Sequence, residues 1–167
     1  MIRKAPQPVA PQPGQESVWQ YPRPPALEPC SRPIRVVCEG VTVADTRGAM
    51  RVLETSHPPT YYLPPDDVRI DLLERIGGGS FCEWKGAATY WTLRLPDRTI
   101  DRCAWSYAAP TTRFSGLQDY FAFYAPLMDA CYVGDEQATP QPGGFYGGWV
   151  TSDLAGPFKG EPGTEHW

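Results

Sequence analysis

ATYWTLRLPDRTIDRCAWSY, residues 88–107, is the stretch that decides the fold. Both of its halves are rich in β-branched and aromatic residues, which favour strands. Pro96 and Asp97 stand between the halves and supply the chemistry of a tight turn. The stretch therefore predicts a β-hairpin whose two strands are ATYWTLRL and TIDRCAWSY.

Short strands are predicted on both sides of this hairpin, with almost no helical pattern. Tyr61 and Tyr62 lie in an extended run that breaks at Pro64 and Pro65. YFAFYA and DACYVG are predicted to pair with each other, with Gly134 and Asp135 in the turn of that pair. The remaining predicted strands are IRVVCEG and VTVADT on either side of Gly40, AMRVLE (49–54) and FCEWKG (81–86). Together they predict a mainly β, single compact antiparallel domain, either a barrel or a pair of packed sheets.

Composition limits the possible classes of function. The chain has 167 residues, of which 41% are apolar and 20% are charged, as is typical of one globular domain. The formal net charge of −4 argues against general nucleic-acid binding by a basic surface. No apolar stretch is long enough to span a bilayer, so no membrane association is expected.

The cysteines bear on compartment and on metal binding. Five cysteines, an odd number without paired spacing, indicate reduced thiols and a cytoplasmic location. The first 20 residues have no apolar segment of the kind that a secretory signal needs, which supports the same location. A structural zinc site usually takes two close cysteine pairs, and no C-x-x-C occurs here. We therefore predict no metal site and no cofactor.

Residues 1–33 are predicted to be a proline-rich arm outside the β domain, which spans residues 34–167. Nine of the 20 prolines fall in this arm, a density that blocks both helices and ladders. The arm is either a disordered tail or a segment anchored by Trp19 and Tyr21, to a protein partner or to its own domain. On this interpretation its removal leaves folding almost unchanged.

FCEWKG is also the start of the candidate site. Alternation along a strand would send Glu83 and Lys85 to one face, among the aromatic side chains of neighbouring strands. Ionisable groups among aromatic rings are typical of a pocket floor. We predict a ligand pocket in which Lys85, in an ion pair with Glu83 or Glu54, contacts an anionic group. Its predicted residues are Glu54, His57, Tyr61, Glu83, Lys85, Trp105 and Tyr107.

QPGGFYGGWV, residues 141–150, is predicted to cover that pocket. It combines four glycines, which permit close backbone approach, with three aromatic residues. The lid residues would be Gly144, Phe145, Tyr146 and Trp149. The alternative is a glycine-rich flap that seals core side chains and covers an edge strand.

Several of these runs carry a resemblance to a known family. ETSHPPTYYLPPDDVR, FCEWKGAATYW, AWSY, YFAFYAPLMDACYVG and QPGGFYGGWVTSDLAGPFKGEPGT together resemble the domain-of-unknown-function 427 family over residues 34–167. The resemblance implies a β domain of the Mss4-like or β-tent type. Because the family is also labelled nucleotidyltransferase-like, it implies a transferase as an alternative function. The sequence departs from the family at Ala108 and Ala109 and at its last three residues.

Two classes of function therefore stay open. One is a binding domain for a small molecule or a peptide. The other is a transferase-like enzyme for a nucleotide or other phosphorylated substrate, with Lys85 and Glu83 contacting phosphate and metal. That chemistry usually uses two closely spaced carboxylates after a glycine loop. The loop at residues 77–80 is followed only by Glu83, Asp97 and Asp101, none of them one residue from another.

Overall fold

A computed structural model of the protein describes residues 6–77 and 79–167. The chain is mainly β, with 40% strand and 11% helix, which confirms the predicted class. The strands of the described residues are β1 (Glu16–Ser17), β2 (Ala26–Pro29), β3 (Ile34–Cys38), β4 (Val41–Thr46), β5 (Met50–Leu53), β6 (Thr60–Tyr62), β7 (Leu73–Ile76), β8 (Phe81–Cys82), β9 (Gly86–Ala87), β10 (Thr89–Leu95), β11 (Arg98–Ser106), β12 (Ala122–Phe123), β13 (Ala130–Val133), β14 (Glu136–Gln137), β15 (Thr139–Pro140), β16 (Trp149–Val150) and β17 (Leu154–Ala155).

The helices are all short turns of 3₁₀ type. Within the described ranges they are Val18–Gln20, Pro65–Asp67, Ile70–Leu72, Thr112–Leu117 and Ala125–Leu127. None of them is long and apolar enough to cross a membrane.

The predicted hairpin forms the centre of the largest pairing. β10 and β11 pair antiparallel around Pro96 and Asp97, and they bring Tyr90 directly opposite Trp105. β7 and β12 flank them, so that the sheet runs β12-β11-β10-β7. This pairing confirms the predicted hairpin, which depended on local sequence alone.

Two more antiparallel sheets have three or four strands, three further sheets have two strands each, and the described strands do not close into a barrel. One runs β14-β13-β3-β4 and contains the predicted strands on either side of Gly40. The other runs β2-β5-β6 and contains the predicted strand AMRVLE, observed as β5. The Mss4-like or β-tent type stays a prediction.

Neighbouring tyrosines of β6 face two different apolar clusters. Tyr61 packs in the main core with Ile34, Val36 and Trp149, whereas Tyr62 packs in a second core with Trp105. Both tyrosines are almost fully buried, at 1% and 0% exposure. Since successive strand side chains point to opposite faces, β6 separates the two cores.

FCEWKG is not one strand, and here the prediction is wrong. Phe81–Cys82 and Gly86–Ala87 are the two arms of a small hairpin, and Glu83, Trp84 and Lys85 form its turn. Gly86 has a φ of +106°, a conformation that side chains disfavour and that allows the chain to reverse. The alternation that was expected to put Glu83 and Lys85 on one strand face therefore does not exist.

YFAFYA and DACYVG do not pair with each other, which is a second correction. β12 pairs with β11, and β13 pairs with β3 in a different sheet. The Ala125–Leu127 helix, which contains Pro126, separates them and redirects the chain. The turn at Gly134–Asp135 exists, but it joins β13 to β14.

The proline-rich segment lies against the rest of the chain. β1 pairs in parallel with β17, and β2 is an edge strand of the β2-β5-β6 sheet. Val18 is fully buried, Tyr21 is 9% exposed, and Trp19 Nε1 donates to the Pro157 carbonyl at 2.9 Å. Trp19 and Tyr21 thus contact the chain's own domain, while the domain boundary at residue 33 and a protein partner for the arm stay predictions.

Candidate functional site

The His57 cluster, defined as Arg23, Glu54, His57, Gln141 and Lys159, joins distant parts of the chain. The His57 side chain, 12% exposed, lies in the loop between β5 and β6. Its Nε2 is 3.5 Å from Glu54 Oε2. The same Glu54 oxygen forms an ion pair with Arg23, whose Nη2 lies 3.1 Å away. Its Nδ1 lies 3.0 Å from Gln141 Nε2. The arm, the β5–β6 loop and the C-terminal region therefore meet at one imidazole.

Hydrogen bonds on buried Gln141 fix the tautomer of His57. Gln141 Oε1 accepts from the Gly148 amide at 3.0 Å, so its Nε2 must be the donor on the other side. That Nε2 donates to the Lys159 carbonyl at 2.9 Å and to His57 Nδ1. Since Nδ1 accepts, the neutral ring carries its proton on Nε2, facing Glu54.

Burial and nearby positive charge keep this imidazole neutral. Burial, the largest cause, and the charges of Lys159, Arg23 and Lys85 together lower the pKa of His57 to about 4, against a smaller opposing effect of the Gln141 hydrogen bond. At pH 7 the group is uncharged, since that pH lies well above the pKa. The surroundings of His57 therefore hold three cations against the single carboxylate of Glu54.

Aromatic side chains border the cluster. The Tyr146 ring meets His57 edge to face, with ring centroids 4.8 Å apart, and Lys159 Nζ lies 5.5 Å from the Tyr146 centroid. The neighbouring Phe145 side chain is 77% exposed. Gly147 lies so close to the Trp105 indole that a Cβ would come within 2.2 Å of it. The 145–147 backbone thus connects the His57 cluster to Trp105.

Beyond Trp105 the border continues toward Lys85. Trp105 packs on Tyr124 with ring centroids 4.4 Å apart, and its Nε1 donates to Tyr62 Oη at 3.3 Å. Lys85 Nζ lies 5.9 Å from the centroid of the Tyr107 ring. Among the described residues Lys85 makes no ion pair within 4 Å, so the expected pairs with Glu83 and Glu54 are absent.

The predicted site residues separate into four groups. Glu54, His57 and Tyr146 meet in the cluster, and Lys85, Trp105 and Tyr107 lie along its aromatic border. Tyr61 and Trp149 instead pack against each other in the main core, with ring centroids 5.1 Å apart. Glu83, Gly144 and Phe145 are exposed. Trp149 Nε1 donates to the buried Phe123 carbonyl at 3.2 Å, so this indole acts as core rather than as lid.

Sequence reasoning missed Arg23, Gln141 and Lys159. Gln141 and Lys159 lie in runs that were quoted for the family resemblance, but neither stands in a motif with a chemical spacing. Arg23 belongs to the arm and comes to Glu54 only through the fold. No local pattern could have placed the three beside His57.

Two clefts lie away from the predicted pocket residues. The first, of about 580 Å³, is bounded by β7, β9 and the loop at Ala108–Ala109. The second, of about 220 Å³, surrounds Arg51. The part of the chain that the structure describes contains no group of three or more His, Cys, Asp or Glu side chains that could hold a metal ion.

Comparison with known proteins identifies a family for this chain. A search of curated proteins found no match. A family model described as domain of unknown function (DUF427) matches residues 26–134, which begin at the first residue of β2. The matched segment contains Glu54, His57 and Lys85, whereas Arg23 and Lys159 lie outside it. The match covers more than half of the chain, and the protein therefore belongs to the DUF427 family.

Proposed function

We propose that the protein binds a small molecule, or the end of a peptide, through an anionic group received at the His57 cluster. The observation that carries this proposal is the charge balance around His57. Lys159, Arg23 and Lys85 all lower the pKa of the imidazole, and the carboxylate beside it, Glu54, is already paired with Arg23. An anion placed there gains attraction from three cations without displacing an existing ion pair of Lys85.

The neutral imidazole favours this role. A protonated His57 would add a fourth positive charge next to Lys159, which the surrounding charges resist. In the neutral form the Nε2 proton points toward Glu54 and remains a hydrogen-bond donor. The site therefore offers an anion fixed positive charge, while the Nε2 proton of His57 is directed at Glu54.

The aromatic border indicates the other part of the ligand. Tyr146 is partly exposed and lies against His57 and Lys159, and the largely exposed Phe145 ring packs on Tyr146. Such rings can stack on an aromatic or apolar body attached to the anionic group. The preferred ligand thus combines a carboxylate or phosphate with a ring.

The experiment is a set of NMR titrations that follow the His57 imidazole. Phenyl phosphate carries both features, inorganic phosphate carries the charge alone, and benzylamine carries the ring with the opposite charge. Phenyl phosphate should bind tightest and should raise the pKa of His57, because a nearby anion stabilises imidazolium. Benzylamine should leave the His57 signals unchanged.

Matched variants assign the effect to the cluster. Lys159→Met should weaken phenyl phosphate binding by about tenfold, as expected for loss of a charge-assisted contact. Arg69→Met removes a positive charge from an exposed pair with Asp71 and should leave binding unchanged. Equal affinity of the two variants, or equal binding of benzylamine, would overturn the proposal.

Two finer predictions accompany it. The transferase alternative stays a prediction, tested by whether phenyl phosphate is turned over. A cytoplasmic location also stays a prediction, supported by five cysteines that are all free thiols, four of them buried.

A further inference from the structure

The cleft bounded by β7, β9 and the loop at Ala108–Ala109, which we name the Arg75 cleft, shares no residue with the His57 cluster. Its volume of about 580 Å³ lies within the range of about 300–1,000 Å³ that small-molecule sites occupy. Five of its eight lining residues are glycine or alanine, and the others are Arg75, Ile76 and Thr89. Short side chains therefore leave this space open, and it is large enough for more than a single ion.

Arg75 is the one ionisable residue among those that line the cleft. It is exposed and makes no ion pair within 4 Å among the described residues. Its acidic neighbour Glu74 does not neutralise it, because successive strand side chains point to opposite faces and Glu74 pairs with Arg94. The cleft therefore carries one positive charge that no described carboxylate holds.

Backbone contacts hold the walls of the cleft in place. The Ala88 amide donates to the Ser80 carbonyl at 2.8 Å, and Gln118 Nε2 donates to the Ala108 carbonyl at 3.0 Å. Gly79 approaches the Ala88 carbonyl so closely that a Cβ would come within 2.1 Å of its oxygen. Since these walls are fixed before a ligand arrives, binding costs little further ordering of the chain.

Apolar surface surrounds the arginine. Ile76 is half-buried, and the alanines present methyl groups. Phe81 is 76% exposed and lies directly opposite Ala87 across the β8–β9 hairpin. Because directly paired residues project to the same face, the Phe81 ring adjoins Ala87. An apolar group in the cleft would remove this surface from water, which favours binding.

We propose that the Arg75 cleft binds a small molecule that carries one carboxylate on a compact apolar body. A guanidinium offers two parallel N–H donors, which match the two oxygens of a carboxylate. A phosphate dianion fits less well, because no second lining residue carries a positive charge for its second negative charge. The apolar body would lie against Ile76 and the alanine methyl groups.

Cyclohexanecarboxylate and cyclohexanecarboxamide are the test ligands. They have the same shape and the same apolar ring, but only the first carries a charge. NMR titration can be read at the alanine methyl groups, because four of the lining residues are alanines. The carboxylate should shift these signals and should bind at least about tenfold tighter than the amide. Equal binding of the two, or unshifted methyl signals, would overturn the proposal.

Matched variants assign the binding to Arg75 and to the space beside it. Arg75→Met should weaken cyclohexanecarboxylate binding by at least about tenfold, whereas Arg47→Met, at another exposed arginine, should leave it unchanged. Ala109→Leu fills the cleft from an exposed loop and should also weaken binding, whereas Ala10→Leu at an exposed position of the arm should not. If Arg75→Met binds like the unchanged protein, the guanidinium does not hold the ligand and the proposal is wrong.

A peptide decides the source of the carboxylate. N-acetyl-Gly-Gly-Leu presents the same group at the end of a flexible chain, and it should bind more weakly because that chain must be ordered. Tighter binding of the peptide would overturn the assignment to a small molecule. Lys159→Met should leave the response of the alanine methyl groups unchanged, since Lys159 belongs to the His57 cluster. The Arg75 proposal and the proposed anion site at His57 therefore succeed or fail separately.

Discussion

The cleft around Arg51 and the His57 cluster use charge in opposite ways. In the cleft, burial raises the pKa of Glu16, but hydrogen bonds from Arg51 and Tyr21 outweigh it, and the net shift is downward. Burial opposes the charge of Arg51, yet its bonds to Glu16 and Glu28 raise its pKa. Around His57, Arg23 is paired with Glu54, whereas Lys85 has no ion pair among the described residues, and burial together with these cations lowers the pKa of the imidazole. Paired charge thus connects the arm to the sheet, whereas Lys85 is left without an ion pair among the described residues.

This difference separates charged groups that are held in ion pairs from charged groups that are not. Arg51 is 8% exposed and holds carboxylates from two segments, so its loss disturbs the packing of both. Lys85 is half-buried and holds no carboxylate, so its loss disturbs little besides the local field. The predictions that follow test this distinction, from the largest expected effect to the smallest.

Removing the arm should have the largest effect. A chain that begins at Arg32 loses the buried Val18 and Tyr21 and leaves Arg51 without Glu16 and Glu28. Burial of each such apolar side chain is worth about 1.5–3 kcal/mol, so the free energy of unfolding should fall by about 5 kcal/mol. Denaturant unfolding measures it. The sequence alone predicted almost no change.

A shorter deletion is the matched control for the arm. Removing residues 1–14 takes away proline-rich chain in which residues 7–14 are exposed. Its stability should stay within about 1 kcal/mol of the full chain. Equal stability of the two truncated variants would show that the arm does not contribute to the fold.

Acid should destabilise the protein through His57. Its folded pKa of about 4 lies below the ordinary value of 6.5, so the unfolded chain binds more protons between these values. The contribution of His57 is complete above pH 6.5 and falls as pH drops toward 4. At pH 4 the loss should be on the order of 3 kcal/mol.

The comparison with His57→Gln isolates this effect from the carboxylates. Stability curves of both proteins from pH 7.5 to pH 4 should converge as the pH falls, because only the unchanged protein carries the imidazole. Parallel curves would mean that neither burial nor the nearby cations lower the pKa of His57, and the proposed anion site would lose its main support.

The fold was predictable where a structure depends on neighbours in sequence. The 88–107 hairpin follows from two strand-forming runs and one turn, and it is confirmed. The prediction of a single strand for FCEWKG was wrong, because the chain turns at residues 83–85 and Gly86 follows with a positive φ. Composition alone does not reveal such a backbone conformation. The proline count of the arm hid β2, whose Pro29 is tolerated because the strand lies at a sheet edge.

The site was less predictable than the fold. His57 and Glu54 are close in sequence, but the Gln141 bond to His57 spans 84 positions and depends on the whole fold. Tyr61 and Tyr62 are the same residue type and are neighbours in one strand. Yet the Tyr62 hydroxyl accepts a hydrogen bond from Trp105, whereas the Tyr61 hydroxyl has no partner among the described residues. Only the sheet register distinguishes them.

Arg51→Met should show what paired charge contributes. The variant keeps an unbranched apolar stem but leaves Glu16 and Glu28 without their partner. Both carboxylates are about half exposed, at 46% and 45%, and can regain water. The free energy of unfolding should therefore fall by about 2 kcal/mol, less than for a fully buried pair. A loss below about 0.5 kcal/mol would show that the cleft does not connect the arm to the sheet.

Lys85→Met is the counterpart in the other region and should have the smallest effect on stability. Lys85 has no ion pair among the described residues, and its ammonium lies 5.9 Å from the centroid of the Tyr107 ring, so at most about 1 kcal/mol of the free energy of unfolding should be lost.

Stability alone would not distinguish a ligand-binding lysine from an ordinary surface lysine. The pKa of His57 does distinguish them, because the charge of Lys85 helps to lower it. In Lys85→Met that pKa, followed by NMR, should rise, and phenyl phosphate binding should weaken. An unchanged His57 pKa together with unchanged binding would remove Lys85 from the site and leave the anion to Lys159 and Arg23.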